Sequence, residues 1–189
     1  MNTALASSSS HWNVGGWTWL AIAKLVNEEG GLDDRLLADS FADEFEQQVA
    51  RSPRLIPGAD RALRCASKLG SVAIVTGSRL GVVQTWLDHF SLRDTVDTIV
   101  SAGSYARPKP EPDCYKLALS RLKTKPDKVL VFEDSNAGIQ AAAAAHLRVI
   151  AIANGQSRNT GIQAYFEREI ASFEPLLEAG FFDGEASVG

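Results

Sequence analysis

The sequence predicts an α/β fold, a doubly wound parallel sheet preceded by a small helical segment. Two observations carry that prediction. From about residue 55 onward, short β-branched runs alternate with stretches of helical length, joined by links of a few residues. Alternation of this kind passes parallel strands through crossover helices, and the helices then cover both faces of the sheet. The runs are also apolar throughout instead of alternating apolar and polar, which is the pattern of strands buried on both faces.

Taken in order, residues 16–50 form a helical pair. Trp19, Ile22, Ala23 and Val26 recur at helical spacing and stop at Gly30 and Gly31. Leu37, Phe41, Phe45 and Val49 mark one face of a second helix, with Asp34, Asp43, Glu44 and Glu46 on its solvated side. The link to the α/β region is 51–58. A helix over 59–69 then ends at Gly70, placed as a C′ glycine. A strand over 71–77 follows, and a helix over 79–90 carries Val82, Val83, Trp86, Leu87 and Phe90 in one stripe. Next come a strand over 97–102 and a helix over 111–122, entered through a proline-rich loop. A strand over 128–132, an alanine-rich helix over 137–145 and a strand over 148–153 complete the alternation. A last helix is expected over 162–170, and 182–189 reads as a loose end.

Composition excludes several classes. The 189 residues are 45% hydrophobic and 22% charged, the balance of an ordinary globular protein and not of a disordered one. Lys and Arg number 19 against 23 Asp and Glu, a net charge of −4, so nothing resembles a basic footprint for nucleic acid or an anionic membrane. The best apolar run, 17–26, is interrupted by Lys24 and falls well short of the ~20 residues a bilayer requires. Cys65 and Cys114 lack CxxC spacing, so neither a zinc site nor a disulfide framework is indicated. Residues 1–10 are serine-rich without the apolar core of a secretion signal or the arginines of a transit peptide. The expectation is a cytoplasmic protein.

In doubly wound sheets, ligands bind beyond the carboxyl ends of the strands. Three such ends here carry polar groups. The strand over 71–77 ends in Thr76, Gly77, Ser78 and Arg79, and the strand over 128–132 runs into Glu133, Asp134, Ser135 and Asn136. Between them in sequence lies a stiff loop, Arg107-Pro108-Lys109-Pro110-Glu111-Pro112-Asp113. A hydroxyl beside a helix N-terminus, a lysine and adjacent carboxylates suit phosphate chemistry. Hydroxyl and N–H groups bind phosphoryl oxygens, the lysine neutralises charge, and carboxylates can hold Mg²⁺. Singly, each has a plainer reading: Thr76 or Ser78 as a helix cap, Lys109 as a loop lysine, Asp134 or Ser135 as the next cap. The order and placement of all three make the joint signal.

VAIVTGSR (72–79), RPKPEPDCY (107–115) and VLVFEDSNAGIQAA (129–142) resemble three ordered motifs of the haloacid dehalogenase superfamily. With PGADRAL (57–63) upstream, the likeness is to its β-phosphoglucomutase-like branch of sugar-phosphate phosphatases and mutases. The resemblance implies a Rossmannoid core over 55–189 and an N-terminal segment with a partial helical cap over 1–54. It implies that Thr76, with Gly77 and Ser78, and Lys109 contact the transferring phosphoryl group, that Thr76 and Lys109 are catalytic, and that Glu133 and Asp134 hold Mg²⁺. Pro108 and His146 stand where the family usually has glycine. A larger departure is that no D-x-D, the family's nucleophile and acid/base pair, occurs anywhere in the chain. An aspartyl-phosphate needs a carboxylate nucleophile, and a serine does not replace it.

Two functions follow as expectations. One is a Mg²⁺-dependent hydrolase, a phosphatase or phosphomutase of small phosphorylated metabolites, N-terminally truncated and weakly active or inactive as written. The alternative is a non-catalytic phosphate-binding or regulatory module. A response-regulator receiver is set aside because its acids precede the hydroxyl and lysine, whereas here the carboxylates come last. Residues 3–8 are expected to pair with the strand over 71–77, in the slot where the family places its first strand.

Overall fold

The computed structural model describes residues 53–153 and 158–183, together with residues 33, 36, 40, 41, 43, 44 and 47. The elements alternate as the sequence predicts: α1 (Ala59–Leu69), β1 (Ala73–Val75), α2 (Leu80–His89), β2 (Thr98–Val100) and α3 (Asp113–Leu122). They continue with β3 (Leu130–Glu133), α4 (Asn136–Ala144), β4 (Arg148–Ile152), β5 (Arg168–Ile170) and α5 (Glu174–Glu178). All the pairings are parallel. β1 pairs with β2 in register Ala73 with Thr98 and Val75 with Val100, and β4 lies between β3 and β5. Among the described residues, the strands therefore form a sheet of two and a sheet of three. The expected pairing of residues 3–8 falls outside the described residues.

Both sheets contribute to the same two apolar layers. Val75, Val100, Val131, Val149 and Ala151 pack on one side, with Tyr115 of α3 and Ile139 and Ala142 of α4. Ile74 and Ile152 pack on the other, with Val83 and Leu87 of α2, Phe173 and Leu176. Neighbouring strand residues thus enter opposite cores, as the period of two requires. This is the doubly wound arrangement, with helices over both faces.

Three expectations need correction. Gly70 closes α1 in an extended conformation (φ 178°), which any residue adopts, and not as a left-handed C′ residue. The segment 162–170 is not a helix. It holds one 3₁₀ turn, Ile162–Tyr165, and then β5, drawn into the ladder beside β4: Glu167 N–H donates to the Val149 carbonyl at 2.8 Å, and Ala153 N–H to that of Ile170 at 2.8 Å. A helix absent from the sequence reading, α5, follows with Pro175 in its first turn.

At the N-terminal side, Leu36, Ser40, Phe41, Asp43, Glu44 and Gln47 are helical. The Asp33 carboxylate accepts from the Leu36 N–H at 3.2 Å, an N-cap geometry. An ion pair between Asp43 and Arg79 ties this stretch to the loop after β1. Among the described residues, no helix is long and apolar enough to cross a membrane.

Candidate active site

Among the described residues, most of the buried polar side chains gather where strands end: Thr76, Ser101, Lys109, Glu133, Asp134 and Ser135. Burial of such groups is costly unless they are hydrogen-bonded, so their partners define the site.

Thr76 follows β1 directly, and its N–H extends the ladder to the Val100 carbonyl at 2.9 Å. Its side chain is buried, and its hydroxyl oxygen accepts from the Ser78 N–H at 3.0 Å. That bond leaves the hydroxyl proton of Thr76 as the group's donor. Gly77 is exposed and Ser78 half-buried at the start of the turn into α2.

Lys109 arrives from the proline-rich loop. Arg107 stiffens that loop through a two-pronged pair with Asp113, at 2.6 and 3.0 Å, and a further contact with Glu111 at 3.2 Å. The Lys109 ammonium is buried. It donates to Glu133 Oε2 at 2.6 Å and to the Val75 carbonyl at 3.3 Å, and lies 5.1 Å from the centre of the Tyr115 ring. Lys109 thereby spans the ends of β1 and β3, which belong to different sheets.

Glu133 closes β3, in phase with the core residue Val131, so its side chain turns toward α3 and α4. Oε2 accepts from Lys109 and, at 2.7 Å, from the Tyr115 hydroxyl. Oε1 accepts from the N–H groups of Asp134 and Ser135, both at 3.1 Å, and from the Ser135 hydroxyl at 3.0 Å. Ser135 caps α4 in turn, its oxygen accepting from Gly138 N–H at 3.0 Å. The carboxylate is packed so closely on α4 that a Cβ on Gly138 would stand 2.0 Å from Glu133 Cδ. Burial pushes the Glu133 carboxyl up; the Lys109 charge and hydrogen bond, helped by Tyr115 and Ser135, outweigh it and hold the group below its usual range. Burial, then the charge of Glu133, raises the Tyr115 phenol well above its ordinary value. Burial likewise pushes Tyr105 up to about 12.

Glu133 is therefore engaged on both oxygens by donors of the protein itself. Its two oxygens receive five donors, and a carboxylate offers about four lone-pair sites. Asp134, adjacent in sequence, is 2% exposed, and Mg²⁺ is an ion satisfied by one or two carboxylates with phosphate and water. Among the described residues, no three His, Cys, Asp or Glu side chains cluster as a ready metal cage.

The structure brings Lys109 and Glu133 into direct contact and places Thr76 at the end of the strand whose Val75 carbonyl Lys109 reaches. Two members of the network, Tyr115 and Gly138, lie outside the polar groups that the strand ends and the proline-rich loop point to. Tyr115 was legible as the buried-face residue two positions after Asp113. Gly138 was legible as a glycine inside a helix otherwise rich in alanine.

A family model for haloacid dehalogenase-like hydrolases matches residues 3–146. The chain is 30% identical over 137 residues to fructose-1-phosphate phosphatase YqaB of Escherichia coli (strain K12), covering 72% of each chain. It is 35% identical over 145 residues to the mitochondrial (DL)-glycerol-3-phosphatase 1 of Arabidopsis thaliana, covering 69% of this chain and 47% of that protein. It is also 35% identical over 95 residues to a phosphorylated carbohydrates phosphatase of Thermotoga maritima, covering 50% of this chain and 44% of that one. The chain thus spans less than half the length of the last two. Among solved structures, CbbY from Rhodobacter sphaeroides in complex with phosphate superposes with a TM-score of 0.73 at 27% identity, covering 87% of this chain and 76% of CbbY.

Proposed function

This chain belongs to the haloacid dehalogenase-like hydrolase family, and on that premise we propose that its site binds the phosphoryl group of small phosphorylated metabolites, sugar phosphates among them. The reaction class is that of a Mg²⁺-dependent phosphatase, with little turnover from these 189 residues by themselves. The observation that carries the proposal is the meeting of Lys109, Glu133 and the Val75–Thr76 strand end, contributed by three separate segments.

In this reading the Thr76 hydroxyl donates to a phosphoryl oxygen, its own oxygen being held by Ser78 N–H. Gly77 and Ser78 let the backbone approach that group at the entry to α2. Lys109 supplies positive charge, and Glu133 anchors Lys109 and lies outside the metal's ligand set. Asp134 would hold Mg²⁺, and the ion would supply positive charge toward the phosphoryl oxygens. The named relatives act on phosphorylated carbohydrates or glycerol phosphate, which supports a small polar phosphoester as substrate. The division into an N-terminal segment with a partial helical cap over 1–54 and a core over 55–189 belongs to the same proposal, supported by the helical state of Leu36, Ser40, Phe41, Asp43, Glu44 and Gln47. So does a cytoplasmic location, supported by the free thiols Cys65 and Cys114.

Weak turnover follows from the absent D-x-D: without a matching carboxylate nucleophile, no aspartyl-phosphate forms on that motif. The same absence favours the second reading, a phosphate-binding module without catalysis. Calorimetric titration with inorganic phosphate in the presence of Mg²⁺, paired with hydrolysis assays on hexose phosphates, separates the outcomes. Binding that is lost in Lys109→Met and Thr76→Val supports the site. Rapid hydrolysis abolished by Asp134→Asn overturns the claim of weak chemistry, and an absence of phosphate binding overturns the reading as a whole.

A further inference from the structure

The loop between β4 and β5 sends one side chain back across the strand ends. Arg158 has an 8% exposed side chain, and it bonds to the carboxyl side of the three-stranded sheet. Nη1 donates to the Asp134 carbonyl at 2.7 Å, and Nη2 to the Ile152 carbonyl at 2.7 Å. Nε donates to Glu169 Oε1 of β5 at 2.8 Å, and Nη2 lies 2.6 Å from the same oxygen. A guanidinium stays charged at every pH a folded protein meets, and its rigid fork suits several acceptors at once. Desolvating it is costly unless those acceptors are in place.

We infer that Arg158 is a positioning residue for Asp134, an inference that rests on the reading of Asp134 as the Mg²⁺ ligand. The peptide unit joining Asp134 to Ser135 is held at both of its polar ends. Its carbonyl accepts from Arg158, and its N–H donates to Glu133. The preceding peptide is held as well, through the Asp134 N–H to Glu133. With both flanking planes fixed, the Asp134 backbone has lost its soft torsions, and the Cα–Cβ bond that carries the carboxylate points in one direction. Groups that orient a ligand without touching the metal commonly matter to affinity by tenfold to a hundredfold. Glu169 completes the device: it neutralises the arginine and links the edge strand β5 to the turn after β3.

Mn²⁺ alone is the probe, its free-ion EPR signal reporting binding to the full chain. Wild-type protein is expected to bind Mn²⁺ and Asp134→Asn to lose it. Arg158→Gln is expected to weaken binding about tenfold or more, with part of the loss recovered in Arg158→Lys. Amide hydrogen exchange supplies a reading that needs no metal: Arg158→Gln should speed exchange at Asp134 and Ser135 and leave the amides of α2 unchanged. Equal acceleration in α2 means a general loss of stability and overturns the inference. Mn²⁺ binding undiminished in Arg158→Gln overturns it while leaving the metal reading intact. A wild-type chain that holds no Mn²⁺ overturns both. Should Arg158→Gln fail to fold, the same comparisons in Arg158→Lys decide.

Discussion

Glu133 is 1% exposed and held below the ordinary carboxyl range, a combination that only its five donors permit. Because the folded value is depressed, the stability it contributes is present above the unfolded value, near 4.5, and is lost as the pH falls through the folded one. Tyr115→Phe removes one of those donors and should move the acid unfolding midpoint to higher pH, read by circular dichroism at fixed urea. On the alkaline side the sign reverses. The raised Tyr115 phenol contributes stability that is complete below its unfolded value, near 10, and is lost as the pH rises through the folded value; the phenylalanine variant should lose that slope. Gly138→Ala drives a methyl into the Glu133 carboxyl carbon, forcing the carboxylate off Lys109 and Tyr115. We expect a cost of about 3 kcal/mol in urea unfolding, the scale of breaking a buried ion pair. The membership of Lys109 and Glu133 in one site was legible in the order of their loops. What spacing does not encode is which oxygen receives which hydrogen. A clue lay in the phase of β3: Glu133 shares the face of Val131, which packs in the same core as Tyr115.

Among the helices, three end in the same way. After α2, α3 and α4 the chain turns through Ser91 (φ 52°), Lys123 (φ 50°) and His146 (φ 60°). Each closes the paired bonds of a Schellman motif, as in Leu147 N–H to the Ala142 carbonyl and His146 N–H to that of Ala143. Left-handed geometry is unfavourable for any residue with a Cβ, and all three side chains are exposed, so little packing offsets it. Replacing each by glycine should stabilise the chain by about 0.5–1 kcal/mol, seen as a rise in Tm of roughly 1–4 °C. His146 thus occupies the position the sequence marks as unusual, and its backbone angle gives the physical reason a glycine suits it. Strand cores such as 73–75 and 148–152 were legible because β-branched, doubly buried runs have few alternatives. Segment 162–170 was not: Ile162, Tyr165, Phe166 and Ile170 fall at helical spacing, and only the ladder to β4 makes the last of them a strand.

For the whole molecule, the separation of the strands into two sheets does not divide the core. Each apolar layer draws on both sheets, Val75 with Val149 on one side and Ile74 with Ile152 on the other. Neither sheet can leave without opening both layers, so unfolding should be a single step. Urea transitions followed by far-UV circular dichroism and by the fluorescence of Trp86, with Trp12, Trp17 and Trp19 replaced by phenylalanine, are expected to coincide; separate midpoints would overturn the single step. The ammonium that joins them also has a chemical consequence. Lys68, Lys116, Lys123, Lys125 and Lys128 are exposed, whereas the side chain of Lys109 is 5% exposed and bonded to Glu133. In limited acetylation of the folded protein, those five amines should label early and Lys109 late. A rise in Lys109 labelling in Gly138→Ala at the same pH, with far-UV circular dichroism unchanged, would report that the contact between the two strand ends has opened while the rest of the chain remains folded.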